Sequence, residues 1–249
     1  LVKNNNSVIN NEPVEAEAYT MLSEAITDLT GYKNVREAWL TFVQPGEKIG
    51  LKVNPIGGKL LSTSHAVVKS VIRQLKECGI ALNDIIIWDR RDMELKEAGF
   101  SQVNYPGIVI KGTEVQDENG SFMNKNGRYY SEDNIDREWY YWADVEGVYD
   151  AETMPYMING GKYSFFSKIV TREVDKIINI PILKNAGNSI TNAMKNLAFG
   201  SISNTGRLHE KLWNETCAEV CAFSPLRDKV VLNITDGLRG CFNGGPGAN

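Results

Sequence analysis

Residues 176–200 read KIINIPILKNAGNSITNAMKNLAFG, and this stretch decides the fold class. The apolar run 176–183 is typical of a buried central strand, and a helix is predicted from about residue 189 to residue 197. The run is followed by cationic and carboxamide residues, which are rare in an apolar protein core: Lys184, Asn185, Asn188, Lys195 and Asn196. Because an open α/β sheet binds its ligand beyond the carboxyl ends of its strands, the stretch predicts a ligand site at that edge.

Strands and helices alternate on both sides of this stretch. Apolar runs bounded by turn residues predict further strands at 48–53, 84–89, 108–110 and 229–235. Apolar residues at helical spacing predict helices at about 13–28, 34–42, 62–78, 90–98 and 208–223. The alternation favours an α/β fold in which a largely parallel sheet carries helices on both faces.

The alternating pattern breaks at about residues 114–170. This segment is rich in tyrosine, tryptophan and phenylalanine, which a disordered linker lacks. We therefore predict an aromatic-rich α+β insertion with its own packing, including a helix at about 133–145. Its rings could form a lid or a sugar-stacking surface, or they could simply pack the insertion against the sheet. The whole chain, 1–249, is expected to be one α/β domain that carries this insertion and is incomplete at both termini.

Composition limits the classes of partner. The formal net charge is −4 and the pI is near 5.4, whereas a surface for nucleic acid is usually basic, so we expect no nucleic-acid partner. No run approaches the roughly 18 apolar residues of a membrane span, so no transmembrane segment is predicted. The four cysteines are too few for a disulfide scaffold and are expected to be buried free thiols.

Polar signatures follow three of the predicted strands. They are Lys52-Val53-Asn54 with Gly57 and Gly58, Lys184-Asn185 with Gly187 and Asn188, and Thr235-Asp236-Gly237. Because parallel strands end along one edge of a sheet, the three signatures are expected to converge on one site. Glycine and asparagine are also common turn residues, and a lysine at a strand end is usually solvated, which is the simpler explanation of each signature.

Within such a site, ammonium groups and backbone amides would bind an anion. The ammonium groups are those of Lys52, Lys184 and Lys195, and the amides of Gly57, Gly58 and Asn188 could form an anion-binding nest. Two neighbouring lysines lower each other's pKa, which would make Lys184 or Lys195 a candidate base or Schiff-base amine. Asp236 could act as a base, orient a lysine or hold a metal.

The familiar catalytic motifs are absent, which lowers the weight of the common nucleotide and hydrolase explanations. GxGxxG, the P-loop GK[ST] pattern, GxSxG and HExxH do not occur. His65 and His209 are the only histidines, and with Asp236 they are the candidate metal ligands. No paired zinc motif accompanies them, and a structural or exposed role is the alternative for each histidine.

Several stretches resemble domain-of-unknown-function family 362. They are LKVN with the glycines that follow it, TSHAVVKSVIRQL, IIIWD, the block from INIPILKN to MKNLAFG, and the end from LNITDGLRG to GGP. The resemblance implies an α/β protein, a possible iron–sulfur redox partner and an exported, periplasmic location in bacteria. The family often places a histidine directly after the strand-end lysine, whereas here Asn185 and Ala186 follow Lys184. A metal or proton-transfer role that needs that histidine is therefore not expected in this chain.

The leading hypothesis is an enzyme or ligand-binding domain that acts on a small anionic substrate at the strand carboxyl ends. Its catalytic residues would be Lys184, Lys195 and Asp236, and its binding residues would be Lys52, Asn54, Gly57, Gly58, Asn185, Asn188 and Asn196. One alternative is a non-catalytic accessory module for an iron–sulfur redox partner, which predicts an exposed aromatic patch within 129–166. The other alternative is a metal-binding protein. The sequence specifies no cofactor.

Overall fold

The computed structural model describes residues 1–186, 190–243 and 245. The strands are β1 (Val8–Ile9), β2 (Glu12–Pro13), β3 (Ile49–Lys52), β4 (Ile85–Arg91), β5 (Val109–Glu114), β6 (Ile135–Trp142), β7 (Tyr163–Ser167), β8 (Lys176–Asn179), β9 (Ile182–Asn185), β10 (Ile190–Thr191), β11 (Val230–Asn233) and β12 (Asp236–Cys241). The α-helices are α1 (Glu15–Thr30), α2 (Val35–Trp39), α3 (Gly58–Leu61), α4 (His65–Glu77), α5 (Asp92–Glu97), α6 (Ala193–Ser201), α7 (Trp213–Ala222) and α8 (Ser224–Arg227).

A five-stranded parallel sheet forms the centre of the fold. Its strand order is β11-β8-β3-β4-β5, and every neighbouring pair is parallel. The central strands are short buried runs rich in isoleucine, as expected where helices cover both faces of a sheet. This confirms the predicted α/β class with a parallel sheet.

Two apolar cores lie on opposite faces of this sheet. Side chains alternate between the faces of a strand, so Ile85 and Ile87 join one core while Ile86 and Trp88 join the other. The first core contains residues of α1, α2, α4 and α5, and the second contains residues of α6, α7 and α8 together with Tyr141 and Phe166 of β6 and β7. The helices on both faces are therefore confirmed.

The single strand predicted at the start of the 176–200 stretch is wrong, because two strands in different sheets occupy it. Strand β8 belongs to the central sheet and ends at Asn179, whereas β9 lies in a small sheet of order β10-β9-β12. Pro181 stands between them, and proline has no N–H with which to continue a ladder. Asn179, rather than Lys184, therefore ends the central strand, and Leu183 is 43% exposed instead of buried.

The helix predicted at about 133–145 is also wrong. Strand β6 occupies this segment and pairs antiparallel with β7. Along β6, Tyr140 and Trp142 are exposed while Tyr141 between them is buried, which is the two-residue period of a strand. Aromatic residues favour strands, and here they form a hairpin. In the described residues, the helical part of the insertion is limited to short 3₁₀ turns at 130–133 and 154–156 and a π-helical turn at 169–173.

Two further boundaries differ from the sequence-based prediction. The predicted start of the helix near Ser189 lies outside the described residues, and α6 begins at Ala193. The third polar signature follows β11 as predicted, but Asp236 itself begins the next strand, β12, which pairs with β9. None of the helices in the described part of the chain is both long and apolar enough to cross a membrane.

Candidate functional site

A buried ion pair lies at the carboxyl edge of the central sheet. Lys52 ends β3, and its ammonium donates to the Asp89 carboxylate on the neighbouring strand β4. Both residues are buried, and Lys52 has no exposed surface at all (0%). The same ammonium donates to the Val53 carbonyl oxygen at 2.7 Å. Burial lowers the pKa of Lys52, and the Asp89 carboxylate opposes that shift.

Carboxamides extend this pair across the edge of the sheet. The Oδ1 atom of Asn196, on α6, accepts from Lys52 Nζ at 3.1 Å and from Asn54 Nδ2 at 3.2 Å. Asn196 donates in turn to Asn179 Oδ1 at 2.8 Å, so the ends of β3 and β8 are joined through α6. Asn54 Oδ1 accepts from Lys184 Nζ at 2.9 Å. Lys184 and Lys52 are thus connected through two carboxamides.

Gly200 makes the close approach of α6 to Lys52 possible. A Cβ atom at position 200 would lie 2.1 Å from Lys52 Cε and 2.6 Å from Lys52 Nζ. No side chain larger than hydrogen fits between the helix and the buried lysine without moving one of them.

A small cavity of about 40 Å³ opens beside this network. Three cationic residues bound it, namely Lys52, Arg90 and Lys195. Arg90 forms an ion pair with Glu114 at 3.5 Å, and it also donates to Thr205 Oγ1. The cavity therefore lies where the ends of β3 and β4 meet α6.

Lys195 differs from the other cations that bound the cavity. It is buried, and its ammonium lies 4.4 Å from the ring centroid of Trp213 and 5.1 Å from that of Phe199. Cation–π contacts of this kind stabilise an ammonium group but satisfy none of its hydrogen-bond donors. Within residues 1–186, 190–243 and 245, the ammonium makes no hydrogen bond or ion pair. Burial lowers the pKa of Lys195 to about 8, and the charge of Arg90 adds to the shift.

Lys184 has a similar pKa but different surroundings. Burial lowers its pKa to about 8, and the charge of Lys195 makes a smaller contribution in the same direction. The expected mutual effect of the two lysines is therefore secondary to burial. Lys184 Nζ donates to Asn54 Oδ1 and to the Ile56 carbonyl oxygen, and the residue does not bound the cavity. These two hydrogen bonds connect Lys184 to the network of carboxamides around Lys52.

The structure brings part of the predicted site together. Four of the predicted residues bound the cavity: Lys52, Asn54, Lys195 and Asn196. Lys184 does not bound it, but its ammonium donates a hydrogen bond to Asn54, which does. Asp236 has another role, because its carboxylate accepts the backbone N–H groups of Ser64 at 2.7 Å and Leu238 at 3.0 Å. It thereby holds the start of α4, where the unpaired N–H groups of a helix favour a carboxylate. Burial raises the pKa of Asp236, and the Ser64 N–H opposes that shift.

Three other predicted binding residues, Gly57, Gly58 and Asn185, are not among the described residues that bound the cavity. The N–H of Gly58 donates to the Pro55 carbonyl oxygen at 3.0 Å, so it serves the turn and not an anion nest. Gly57 has a φ of 99°, which suits the left-handed turn before α3. The side-chain amide of Asn185 donates to the Phe242 carbonyl oxygen at 3.0 Å. The backbone carbonyl oxygen of Asn185 accepts from the Gly245 N–H at 2.9 Å. Asn188 falls outside the described residues.

The two histidines occupy separate sites. Nδ1 of His65 is 2.5 Å from Tyr105 Oη and its Nε2 is 3.0 Å from the Ala98 carbonyl oxygen, so both ring nitrogens are engaged. His209 bounds the cavity. No group of three or more His, Cys, Asp or Glu residues in the described ranges is placed to hold a metal ion. The structure therefore does not bring His65, His209 and Asp236 into one ligand set.

The aromatic residues of the insertion divide between the interior and the surface. The exposed ones include Tyr140, Trp142 and Tyr149, and the buried ones include Tyr141, Tyr156, Phe165 and Phe166. Packing thus accounts for some of the rings and leaves others in solvent. The accessory-module alternative stays a prediction.

Sequence reasoning missed several residues of this site. Asp89 and Arg90 lie in the carboxyl-terminal part of β4, which ends at Arg91, so the strand-end rule could have found them. Asn179 was not identified as a strand-end residue, because one continuous strand was predicted through it. The role of Gly200 depends on the distance between α6 and β3, for which the sequence carries no signal.

We predict that Gly200→Ala lowers the free energy of unfolding by about 1–3 kcal/mol, the usual cost of overpacking a tight interior. The added methyl group would displace Lys52 from Asp89 and Asn196. Urea unfolding followed by circular dichroism measures the change. Gly206→Ala is the matched control, because a Cβ atom there meets nothing within 4 Å. Equal stability of the two variants would contradict the close approach.

Comparison with curated proteins finds no match for the sequence. The sequence model of one protein family, described as "Domain of unknown function (DUF362)", matches residues 49–249. The match contains all five strands of the central sheet and every residue that bounds the cavity. It confirms the resemblance carried by the strand-end stretches. The chain belongs to the DUF362 family.

Proposed function

We propose that this domain binds a small anion, either an inorganic oxyanion or a short carboxylate, in the cavity at the ends of β3 and β4. Lys195 and Arg90 would be the cations that contact the anion. The observation that carries the proposal is the ammonium of the buried residue Lys195, which makes no hydrogen bond or ion pair in the part of the chain that the structure describes. Burial disfavours the charged form of this lysine, and a bound anion would stabilise that form.

The distribution of charge around the cavity supports this assignment. The ammonium of Lys52 is neutralised by Asp89, and the guanidinium of Arg90 is paired with Glu114. No carboxylate among the described residues forms an ion pair with Lys195. An anion that entered the cavity would therefore supply the charge that Lys195 lacks.

The size of the cavity limits the ligand. A single water needs roughly 10–15 Å³ of such space, so about 40 Å³ holds a group of a few non-hydrogen atoms. This suits a carboxylate, a carbonate or a phosphate group. The carboxamides of Asn54 and Asn196 also bound the cavity and would position the anion.

An enzymatic use of the same site is a hypothesis that rests on Lys195. A lysine whose pKa lies near 8 is partly neutral at physiological pH and can then accept a proton or attack a carbonyl carbon. Lys184 is less suited to such a role because its ammonium donates to Asn54 Oδ1 and to the Ile56 carbonyl oxygen. Its proposed role is to orient Asn54.

Titration calorimetry at pH 7 with phosphate, sulfate, bicarbonate, nitrate, glycolate and acetate tests the proposal. We expect at least one of these anions to bind, and we expect Lys195→Met to weaken that binding by at least about tenfold, since charged hydrogen bonds contribute this much. Methionine fills the space of the lysine stem and removes only the charged end.

Lys211→Met is the matched control, because it removes an exposed lysine from the neighbouring segment and changes the net charge equally. The proposal fails if none of the six anions binds to the wild type. It also fails if the Lys195 variant binds as tightly as the control variant.

The affinity for the anion should also depend on pH. Because the pKa of Lys195 is lowered to about 8, the ammonium loses its proton as the pH rises through that value. We expect affinity to fall above pH 8 by up to about tenfold per pH unit, whereas an ordinary lysine would stay charged to about pH 10. Acetate, nitrate and sulfate keep a constant charge between about pH 6.5 and 9.5, so they are suitable probes. A flat affinity over this range would show that Lys195 titrates normally or does not contact the anion.

A further inference from the structure

The cavity has acceptors in its wall as well as cations. Asp89 and Glu94 bound it, and so does His209. Ionised carboxylates only accept hydrogen bonds. A bound anion would therefore meet groups that repel its own lone pairs, in addition to the cations that attract it.

The ring of His209, which bounds the cavity, carries one unshared lone pair. Its Nδ1 atom lies 2.9 Å from the Thr205 carbonyl oxygen, and because a carbonyl can only accept, Nδ1 carries the proton. The Nε2 atom makes no hydrogen bond to any described residue. Burial and the charge of Lys195 lower the pKa of His209 to about 4, so the ring is neutral at pH 7 and Nε2 is an acceptor. Edge contacts with Phe199 and Trp213 fix the plane of the ring.

The two carboxylates also have unused acceptor capacity. Asp89 accepts from Lys52 through Oδ1, and Glu94 accepts from Arg91 through Oε1 at 3.2 Å. Within the described ranges, the second oxygen of each carboxylate accepts no hydrogen bond. Burial raises the pKa of Glu94, and the nearby charge of Asp89 adds to that rise. The cavity wall thus offers acceptors that a ligand can use only if it brings a donor.

We propose that this cavity selects anions that carry a hydrogen-bond donor, such as hydrogen phosphate, bicarbonate or a hydroxy acid, and that His209 Nε2 is the principal acceptor of that donor. The inference rests on the proposed anion binding and names the class of anion that would bind. The anionic oxygens of the ligand contact Lys195 and Arg90, while its O–H group points at His209. An anion of the same shape without a proton to donate places a lone pair against Nε2 and against the carboxylates.

Three pairs of anions, matched in shape or in the acid group, test the selection by calorimetry at pH 7. Phosphate is compared with sulfate, bicarbonate with nitrate, and glycolate with acetate. The first member of each pair carries an O–H donor and the second does not. In every pair of which one member binds, we expect the donor-bearing anion to bind at least about tenfold more tightly, because a site that hydrogen-bonds the O–H group of a ligand rejects the analogue that lacks it.

His209→Phe tests the assignment of the acceptor. It keeps an aromatic ring between Phe199 and Trp213 and removes Nε2. We expect the preference within each pair to fall by about fivefold to tenfold, mostly through weaker binding of the donor-bearing anion. Glu94→Gln is a second variant, in which an amide replaces one carboxylate oxygen and supplies a hydrogen-bond donor. We expect the donor-free anion to bind this variant more tightly, which would reduce the difference in affinity within each pair.

The possible outcomes separate the two proposals. Equal affinity within each pair for the wild type overturns the selection and leaves anion binding in place. A preference that persists unchanged in His209→Phe overturns the role of Nε2. Failure of all six anions to bind the wild type overturns the proposed function, and this inference with it.

Discussion

The buried pair of Lys52 and Asp89 is the interaction on which the site depends. Removing two charges from water costs roughly several kcal/mol per ion, and close contact with additional hydrogen bonds is needed to offset that cost. Here the Val53 carbonyl oxygen and Asn196 supply those bonds. Because Asn196 also contacts Asn54 and Asn179, the requirement to satisfy one buried ammonium fixes the carboxamides of three separate segments.

Two lysines with the same pKa have different surroundings at this edge. Burial is the largest cause of the lowered pKa for both Lys184 and Lys195. Lys184 donates to oxygen atoms of the protein, whereas Lys195 lies against aromatic rings. The pKa alone does not distinguish the two lysines. The hydrogen-bond partners do, because each donor of a buried ammonium needs an acceptor.

The central sheet could be predicted because its strands are short isoleucine-rich runs that need no tertiary information to be identified. Pro181 was visible in the sequence and marks where the predicted strand divides, yet the apolar residues on either side of it suggested continuity. The β6 segment was assigned to a helix although its aromatic residues alternate between buried and exposed positions.

The strand-end rule predicts Lys52 and Asn54, and it applies equally to Asp89, which lies near the carboxyl end of the neighbouring strand β4. The sequence suggested Asp236 as a base, a metal ligand or a residue that orients a lysine, and in the structure two backbone N–H groups donate to its carboxylate. Helix contacts of this kind, like the proximity of Gly200 to Lys52, arise from the distance between elements. Local sequence patterns do not contain that distance.

The order of the partners along the chain has a consequence for how the protein is made. Asp89 follows Lys52 by 37 residues, whereas Asn196 follows it by 144. During synthesis from the amino terminus, the two charged residues therefore emerge from the ribosome well before the helix that covers them. The segment that supplies the Asn196 hydrogen bond to the Lys52 ammonium is therefore the last of these parts to be synthesised.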